Sequence, residues 1–589
     1  MTQCLRRYSL FLLKPFRHGR PFVTVKKVQQ APTTNKTYRA EQEIPDPAEA
    51  DAILMTTDKP LPHSYLFNGL VSAILLAVVF GVYANTFDST FAFDDYRNLL
   101  ENNAIRTNKL SLEGLNRAAT ESPSHHRWLP NISFALNYYF HGYSPFGYHL
   151  INILIHAANC LTLYFLFCTL LSLPFFRQGL HLTATREIAF AAALLWALHP
   201  LQTNAVTYIV QRMTSMMVFF YLQSFLFYIL ARRNSLPRAQ KYFFLAVSVF
   251  MGCCALMSKE NAVLLPLTLL IFDFYFLRST PDASIRPYLI SALLIVSAML
   301  LTGYFLLGGQ PGKTILSIYD LSYFTLGERL LTQPRVLFLY ISLLLLPLPS
   351  RLNLTHDLAV STSILSPFTT FPALLGFCGL CFLVYFLFHR ARLLSFAIVW
   401  FLANQIIESS IIPLELVFEH RVYLPSVFLF LVITISLHRF TQSRTRYFRM
   451  AILVMASLLA LMTWQRNMVW QDEITLWTDI ATKSPRSARA RIALGKVYLA
   501  ADKEDKAFEV FQNAHEQGLG SASIYNEWGK LLFKRGQIDQ AIIYLKWSIQ
   551  LDPSNGGAHY NLGIAYGAKG LAREARREME LGLQLMNTR

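Results

Sequence analysis

Residues 65–84 read YLFNGLVSAILLAVVFGVYA, a stretch of 20 residues without a charged side chain. A helix needs about 20 apolar residues to cross the hydrocarbon core of a membrane, so this stretch predicts a transmembrane helix. Ten further apolar stretches follow along the chain, at residues 147–173, 187–205, 213–231, 241–257, 260–277, 287–307, 370–388, 393–412, 422–438 and 448–465. The sequence therefore predicts an all-α, polytopic membrane bundle of about eleven spans.

The composition agrees with a membrane protein. The 589 residues are 53% hydrophobic and only 15% charged, whereas about 25% of residues are charged in an ordinary globular domain. This excludes a cytosolic enzyme, a disordered chain and a disulfide scaffold. The chain has 53 Lys and Arg against 36 Asp and Glu, a net charge of +17. Such an excess is typical of cytoplasmic loops, so it does not predict a nucleic-acid partner.

The basic clusters between the predicted spans indicate the orientation of the bundle, because loops rich in Lys and Arg stay in the cytoplasm. All clusters face the cytoplasm if the short apolar stretch 335–347 is a partial or re-entrant element on the outer side. The N-terminus then lies inside and the C-terminus outside. The clusters are Arg232/Arg233/Arg238/Lys241, Arg278/Arg286, Arg390/Arg392 and Arg439/Arg444/Arg446/Arg449.

Residues 1–64 are polar, and the first forty contain nine Lys or Arg and no Asp or Glu. We interpret this segment as a cytoplasmic basic tail that holds the first helix inside. An Arg-rich, acid-free start is also typical of a mitochondrial transit peptide, which stays the alternative.

After Trp470 the composition changes to that of soluble helices, and a repeat of 34 residues appears. Three sets of positions keep its phase: Gly495, Gly529 and Gly563; Ala507, Ala541 and Ala575; Tyr498, Leu532 and Tyr566. This is the tetratricopeptide pattern, in which small residues lie where the two helices of a hairpin cross closely. The sequence therefore predicts a transmembrane domain over 65–470 and an α-solenoid of three repeats over 486–589.

Four residues of the predicted solenoid are candidates for a peptide groove. Tyr525, Asn526, Tyr560 and Asn561 fall on or near the first helices of repeats two and three, which line the concave face of such arrays. Tyr and Asn at these positions could bind an extended peptide. Packing between the repeats is the alternative interpretation.

The predicted first outer loop, about residues 85–146, opens with two adjacent carboxylates, Asp94 and Asp95. Such a pair just beyond a membrane exit is costly unless it is solvated, paired or functional. One interpretation is a catalytic base with a partner that orients it. The other is a solvated turn, or a cap for a helix over residues 95–103.

Further polar groups are predicted at the same outer side, and as a set they suit a substrate with a lipid tail, a phosphate and a polar group to be transferred. Each one alone could be a charge that extends to the membrane interface. Lys259 with Glu260 could form a local ion pair, and His199 could be a structural hydrogen-bonding group. The set comprises Arg127, His199, Arg212, Lys259, Glu260, Glu419, His420 and Arg421.

Several ordered motifs resemble one family, the transmembrane and tetratricopeptide-repeat O-mannosyltransferases and their bacterial relatives. The motifs are Phe93-Asp94-Asp95, NISFALN at 131–137, PFGYHLIN at 145–152, LHPLQTNAV at 198–206, Ser258-Lys259-Glu260 and EHRVYLP at 419–425, followed by the repeats. The resemblance covers about residues 65–589. It implies the GT-C glycosyltransferase fold, and transfer of a sugar from a polyprenyl-phosphate donor to a hydroxyl on the non-cytoplasmic side.

By the same resemblance, Asp94 and Asp95 match the acidic pair where the base resides, and Arg421 matches an Arg that faces the lipid phosphate. Arg212, Lys259 and Arg335 are further candidates for binding the phosphate. We expect transfer with inversion to a protein acceptor that docks on the repeats. No cofactor is expected, and the sequence leaves a divalent cation open.

Other interpretations stay open at this point. The acceptor could be a lipid or a polysaccharide, or the chain could be a scaffold that anchors the repeats without catalysis. The expected location is a bacterial inner membrane with the site and the repeats in the periplasm, or an endoplasmic reticulum membrane with luminal repeats.

Overall fold

The computed structural model describes residues 62–177, 182–233, 236–278, 284–306, 308–320, 322–442 and 444–587. Helices and short helical turns make up the regular structure, and no strand occurs in these ranges. The principal helices are α1 Pro62–Tyr83, α2 Leu112–Glu121, α3 Trp128–His141, α4 Pro145–Leu171, α5 Leu182–Ala197, α6 Arg212–Ala231, α7 Arg238–Leu256, α8 Leu265–Phe272, α9 Arg286–Leu306, α10 Pro311–Tyr319, α11 Leu326–Leu345, α12 Thr370–Phe388, α13 Arg392–Ala403, α14 Val427–Phe440, α15 Thr445–Met468, α16 Glu473–Lys483, α17 Ala488–Ala500, α18 Glu504–Glu516, α19 Ala522–Lys534, α20 Ile538–Leu551, α21 Gly556–Ala568 and α22 Ala572–Asn587.

Eight helical stretches of the described chain are long and apolar enough to cross a membrane. They contain α1, α4, α6, α7, α8 with its flanking turns, α9, α12 and α15. The other three predicted spans correspond to the shorter helices α5, α13 and α14, of 16, 12 and 14 residues. The predicted all-α membrane bundle is confirmed, and three of its members are shorter than the sequence suggested.

The apolar stretch 335–347 belongs to a longer element, because α11 begins at Leu326. Thr325 and Glu328 form a capping box at its N-terminus, and Pro334 lies inside the helix. The helix carries three charged residues, Glu328, Arg329 and Arg335, of which only Arg335 belongs to the apolar stretch 335–347. The predicted basic tail falls almost wholly outside the described residues.

The centre of the bundle is built around aromatic residues that also hydrogen-bond. The indole N–H of Trp196 donates to the Tyr423 carbonyl at 3.3 Å, and that of Trp400 donates to the Leu424 carbonyl at 3.0 Å. The Tyr423 hydroxyl lies 2.7 Å from Nδ1 of His156. Because buried polar groups cost free energy unless they are hydrogen-bonded, these contacts fix the turn that carries Tyr423. That turn also carries Arg421.

Several helices present apolar faces that the protein does not cover. None of the most apolar window of α9 is buried, and only 11% of that of α12. Large side chains such as Leu293, Leu300 and Phe382 are exposed there. Exposed apolar faces of this size fit contact with lipid.

The helix packing in the solenoid explains why glycine recurs every 34 residues. A Cβ at Gly495 would lie 2.3 Å from the Phe511 ring, one at Gly529 2.7 Å from Leu545, and one at Gly563 2.5 Å from Met579. Each contact joins the first helix of a repeat to its second helix. Only a residue without a side chain permits this approach.

The solenoid and the helix α16 that precedes it are packed onto one end of the bundle through α16 and α17. Trp477 and Leu494 share a hydrophobic cluster with Leu99 and Leu354. The Phe93 and Trp477 rings make an edge-to-face contact with centroids 6.0 Å apart. Helix α16 and the first repeat are therefore packed against the loop that carries the acidic pair.

Candidate active site

Asp94 and Asp95 have opposite surroundings although they are adjacent. The side chain of Asp95 is buried, and its two carboxylate oxygens accept hydrogen bonds from the backbone N–H groups of Ala92 at 2.9 Å and Val210 at 2.7 Å. Asp94 is exposed at the surface. Asp95 therefore joins the loop to the segment before α6, while Asp94 is left available to a substrate.

The backbone holds Asp94 in place from both sides. Phe93 has a φ of +53°, in the left-handed region that is uncommon for a residue with a side chain. The N–H of Asp94 donates to the Tyr208 hydroxyl at 2.9 Å. Strained residues of this kind cluster at functional sites, where the surrounding structure enforces them.

The surroundings raise the pKa values of both carboxyl groups. Burial raises the pKa of Asp95 to about 8, against the lowering effect of the Ala92 and Val210 N–H groups. The dense protein around Asp94 raises its pKa as well, although Tyr208 and nearby arginines act in the opposite direction. A carboxylate with a raised pKa is a stronger base at neutral pH.

A buried ionic cluster, formed by Lys259, Glu408 and Arg421, lies at the same end of the bundle. The Glu408 Oε1 atom is 3.0 Å from Lys259 Nζ and 3.9 Å from Arg421 Nε. The three residues are only 4–7% exposed. Burial of two cations around one carboxylate is costly without a compensating role, and the cluster keeps one net positive charge for an anion.

Arg421 is held by its backbone neighbours and retains an unused donor. Its Nη1 donates to the Glu415 carbonyl at 2.6 Å, but its buried Nε has no hydrogen-bond partner. Arg421 lies in the helical turn Glu419–Val422, directly before the anchored Tyr423. An arginine with a fixed backbone and a free N–H is suited to binding a phosphate oxygen.

Arg127 and Glu260 form a third part of the site. The Arg127 guanidinium makes a salt bridge to Glu260 with an Nη2–Oε2 distance of 3.0 Å, and its side chain is 29% exposed. The charge of Arg127 acts on both Asp94 and Lys259. Arg127 is therefore the charged group between the acidic pair and the buried ionic cluster.

The neighbours of Arg421 in its turn have structural partners. Glu419 accepts from the Asn353 N–H at 2.6 Å and lies 3.0 Å from His356 Nε2. The Nδ1 atom of His420 is 3.0 Å from Asn204 Oδ1. Burial and the nearby charges of Lys259, Arg421 and Arg127 hold the pKa of His420 well below its usual value. His420 is therefore a neutral hydrogen-bonding group.

Arg212 is committed to other partners, unlike Arg421. It is fully buried and its guanidinium donates to atoms of neighbouring helices, while its charge lies 4.5 Å from the centre of the Phe134 ring. Its hydrogen-bond partners are Ser133, Asn137, Tyr148 and Asn152. The surroundings of Arg212 fit a structural role better than phosphate binding.

Arg335 and His199 also lie among structural contacts. Arg335 Nη1 donates to the Ala359 carbonyl at 2.5 Å and to Ser361. His199 Nδ1 accepts from the Leu201 N–H, and its Nε2 lies 3.1 Å from the Leu344 carbonyl. For His199 these contacts fit the interpretation as a structural hydrogen-bonding group.

Arg329 is a residue that the sequence did not single out. It is fully buried in α11 and donates to the carbonyls of Glu408, Ser410 and Leu414. These three hydrogen bonds hold the loop that contains Glu408. The signal in the sequence is a charge a few residues before the apolar stretch 335–347, and charges inside membrane proteins are often functional.

The four groove candidates separate into two groups. Asn561 Nδ2 donates to Asn526 Oδ1 at 2.9 Å, so these side chains meet on adjacent first helices, and Tyr560 is a half-buried neighbour of Asn561. The hydroxyl of Tyr525 instead contacts His515 Nδ1, and its ring packs against Tyr544 and Trp547. For Tyr525 the surroundings fit packing between repeats.

The described residues contain no group of three or more His, Cys, Asp or Glu side chains that could hold a metal ion. The polar groups of the site are carboxylates, ammonium and guanidinium groups. Such a set can accept a proton and bind an anionic group with its own side chains.

The fold and these groups define the class of the chain: an integral membrane protein with a cluster of charged groups at one end of its bundle and a tetratricopeptide solenoid. Residues 529–570 match a family model described as TPR repeat. The chain is 25% identical over 554 residues to "Protein O-mannosyl-transferase Tmtc3" of Drosophila melanogaster, with 82% of this chain and 55% of that protein covered.

Shorter matches agree with this relative. "Protein O-mannosyl-transferase TMTC4" of Homo sapiens is 28% identical over 217 residues, 35% of this chain and 29% of that protein. "Protein O-mannosyl-transferase Tmtc1" of Drosophila melanogaster is 31% identical over 194 residues, 32% and 21% of the two chains. The matches confirm the resemblance to the transmembrane and tetratricopeptide-repeat O-mannosyltransferases. The chain spans about half, or less, of the length of these curated relatives.

Proposed function

We propose that this chain is a membrane glycosyltransferase that moves a mannosyl group from a polyprenyl-phosphate donor to a hydroxyl of a protein. The names of the relatives, protein O-mannosyl-transferases, support the class of sugar and acceptor. The geometry supports the chemistry, because an exposed carboxylate and a buried cationic cluster lie at one end of a hydrophobic bundle.

The donor phosphate is held by Arg421 and Lys259 in this proposal. Arg421 supplies the unpartnered Nε–H, and Lys259 supplies an ammonium 3.0 Å from Glu408. The polyprenyl tail lies against exposed apolar helix faces. Preorganised cations stabilise charge that develops on a leaving group, since they need no rearrangement during the reaction.

Asp94 is the proposed base. Its carboxylate takes the proton of the acceptor hydroxyl while the hydroxyl oxygen forms a bond to the anomeric carbon. The bond from that carbon to the phosphate oxygen breaks, and the lipid phosphate leaves with the electron pair. One displacement of this kind inverts the anomeric centre. Asp95 keeps the loop in place through Ala92 and Val210.

The acceptor protein docks on the solenoid, whose first helices carry Asn526, Tyr560 and Asn561. Asparagine amides can hydrogen-bond the backbone of an extended peptide. The contact of Trp477 with Phe93 joins helix α16, which precedes the solenoid, to the residue next to the proposed base and supports this arrangement.

The proposed orientation has the acidic loop, the ionic cluster and the repeats on the non-cytoplasmic side. Contacts between Phe93 and Trp477 and between Arg127 and Glu260 keep these parts at one end of the bundle. The basic cluster at Arg232 lies near Asp273, beyond the opposite end of α6. An anchor for the repeats alone would not need the buried Lys259–Glu408–Arg421 cluster.

The observation that carries the proposal is the availability of Asp94 beside a locked Asp95. We expect Asp94→Asn to keep donor binding and lose roughly 10²–10⁴-fold in single-turnover transfer, the range for removal of a general base. Asp88→Asn is the matched control, because Asp88 is an exposed carboxylate of the same loop. Turnover of the Asp94 variant at the rate of the control would overturn the assignment.

A further inference from the structure

The solenoid contributes one charged side chain to the edge of the proposed site. Arg489 is the second residue of α17, the first helix of the first repeat. Its Nη1 donates to Glu415 Oε1 at 2.8 Å, across 74 residues of sequence. The two side chains are 50% and 27% exposed, so this bridge lies at the surface between the two domains.

Glu415 joins this bridge to the buried ionic cluster. Its carboxylate binds Arg489, while its backbone carbonyl accepts from Arg421 Nη1 at 2.6 Å. Arg421 in turn lies 3.9 Å from Glu408. A continuous series of polar contacts therefore runs from the solenoid to the proposed phosphate ligand. Glu415 also lines a small crevice with Tyr323 and His356.

The charge of Arg489 also acts on the proposed base. Together with Arg97, Arg127 and the hydrogen bond with Tyr208, it acts to lower the pKa of Asp94, while the dense protein around the carboxyl group raises that pKa. Asp95, the adjacent carboxyl group, is bound to Ala92 and Val210. Among the groups that act on Asp94, Arg489 is the one contributed by the solenoid.

We infer that Arg489 is a positioning residue of the transfer reaction, through which the acceptor-binding solenoid sets both the phosphate ligand Arg421 and the environment of the base Asp94. This inference rests on the proposed function. In consequence the first repeat is part of the catalytic unit. Removal of the whole solenoid would therefore impair both the docking of the acceptor and the transfer step.

The neighbouring Arg486 provides a close comparison. It forms a similar exposed bridge, from its Nε to Asp357 Oδ2 at 3.2 Å, and it precedes the same helix. Asp357 belongs to a different loop from Glu415, and in the described chain no hydrogen bond or ion pair joins it to Arg421. Both arginines help to dock the solenoid, but Arg489 binds the residue whose carbonyl holds Arg421.

The test compares Arg489→Gln, Arg489→Lys and Arg486→Gln in the full chain in nanodiscs. Asp94 must be unprotonated to act, so transfer falls as the pH drops through its pKa. Loss of the Arg489 charge raises that pKa, and the acidic limb of the pH profile should move up by roughly half a pH unit, as for a partly exposed charge. Arg489→Lys should restore the limb, and Arg486→Gln should not move it.

A second readout is binding of polyprenyl phosphate alone, without sugar or acceptor. Arg489→Gln should weaken it several-fold because the Glu415 loop loses its partner, whereas Arg486→Gln should not. The inference is overturned if Arg489→Gln has the same pH profile and the same affinity for lipid phosphate as the wild type. Equal shifts in both Gln variants would also overturn it, because they indicate docking alone. Full activity of Asp94→Asn would instead overturn the proposed function.

Discussion

The end of the bundle that carries the candidate site and the last two repeats of the solenoid place their charges in different ways. In the bundle, Lys259, Glu408 and Arg421 are buried together. In the last two repeats, ion pairs such as Lys569 with Asp539 lie at the surface, with both side chains at least half exposed. Buried charges carry a desolvation cost of several kcal/mol each, whereas surface pairs contribute little. In the proposed function the buried cluster of the bundle binds the donor phosphate, whereas an exposed pair such as Lys569 with Asp539 contributes little to stability.

The largest effect is expected at the buried cluster. Arg421→Ala should weaken binding of the polyprenyl-phosphate donor roughly 10- to 100-fold, since a hydrogen bond to a charged group contributes about 1.5–3 kcal/mol. Transfer should slow as well, because the same contact is made in the transition state. Isothermal titration with polyprenyl phosphate measures the first effect.

The control for Arg421 is Arg439→Ala, an exposed arginine at the end of α14. It should bind the donor like the wild type. Equal donor affinities in Arg421→Ala and Arg439→Ala would show that a buried and a surface arginine contribute alike, and would contradict the comparison.

The next effect is expected in stability rather than chemistry. Asp95→Asn replaces one carboxylate oxygen by an NH2 group, so either the Ala92 or the Val210 N–H loses its acceptor inside the protein. We expect a loss of about 1–3 kcal/mol in the free energy of unfolding. Thermal unfolding followed by intrinsic fluorescence should show it, with Asp94→Asn at the wild-type value. A larger loss of stability in Asp94→Asn than in Asp95→Asn would exchange the roles assigned to the two carboxyl groups.

In the solenoid the larger effects should come from packing instead of charge. Gly563→Ala places a Cβ 2.5 Å from Met579 Cγ and 2.8 Å from the Ala575 carbonyl. Overpacking of this kind costs about 1–3 kcal/mol. Gly567→Ala, one turn later on α21, meets only an ordinary contact of 3.8 Å and should be neutral or stabilising, because alanine favours helix by about 1 kcal/mol.

Hydrogen exchange of α21 and α22 distinguishes the two glycine variants. We expect loss of protection only in Gly563→Ala, with donor binding unchanged in both. Weaker donor binding in Gly563→Ala would show that the third repeat is coupled to the bundle as closely as the first.

The smallest effect is expected at the surface pair. Asp539→Asn removes one partner of Lys569 and should change the free energy of unfolding by less than about 1 kcal/mol, and less again in high salt. Chemical denaturation at two ionic strengths measures it. A loss comparable with that of Asp95→Asn would contradict the contrast between the two regions.

The parts of the molecule that repeat along the sequence were predictable from it. Gly495, Gly529 and Gly563 indicated the solenoid because each repeat needs the same close helix crossing. The apolar stretches indicated the bundle because lipid imposes a length on every span. The short helices α5, α13 and α14 were overestimated because apolar loops at their ends extend the pattern without continuing the helix.

The site was predictable as a set of residues but not as an arrangement. The bond from Val210 to Asp95 spans 115 residues, and that from Lys259 to Glu408 spans 149. No local pattern shows that Arg212 is surrounded by acceptors while Arg421 keeps a free N–H. Those differences arise from tertiary packing, which places neighbours from distant helices.

Transfer of a mannosyl group from lipid phosphate to protein, with Asp94 as the base, is the proposed reaction of this chain. The most direct measurement uses the purified full chain in nanodiscs, a polyprenyl-phosphate donor with labelled mannose, and a mixture of secreted proteins as acceptors. We predict label covalently bound to protein hydroxyls with the anomeric configuration inverted, and almost none with Asp94→Asn. Label found only in lipid or polysaccharide, or equal protein labelling by Asp94→Asn and the wild type, would contradict it.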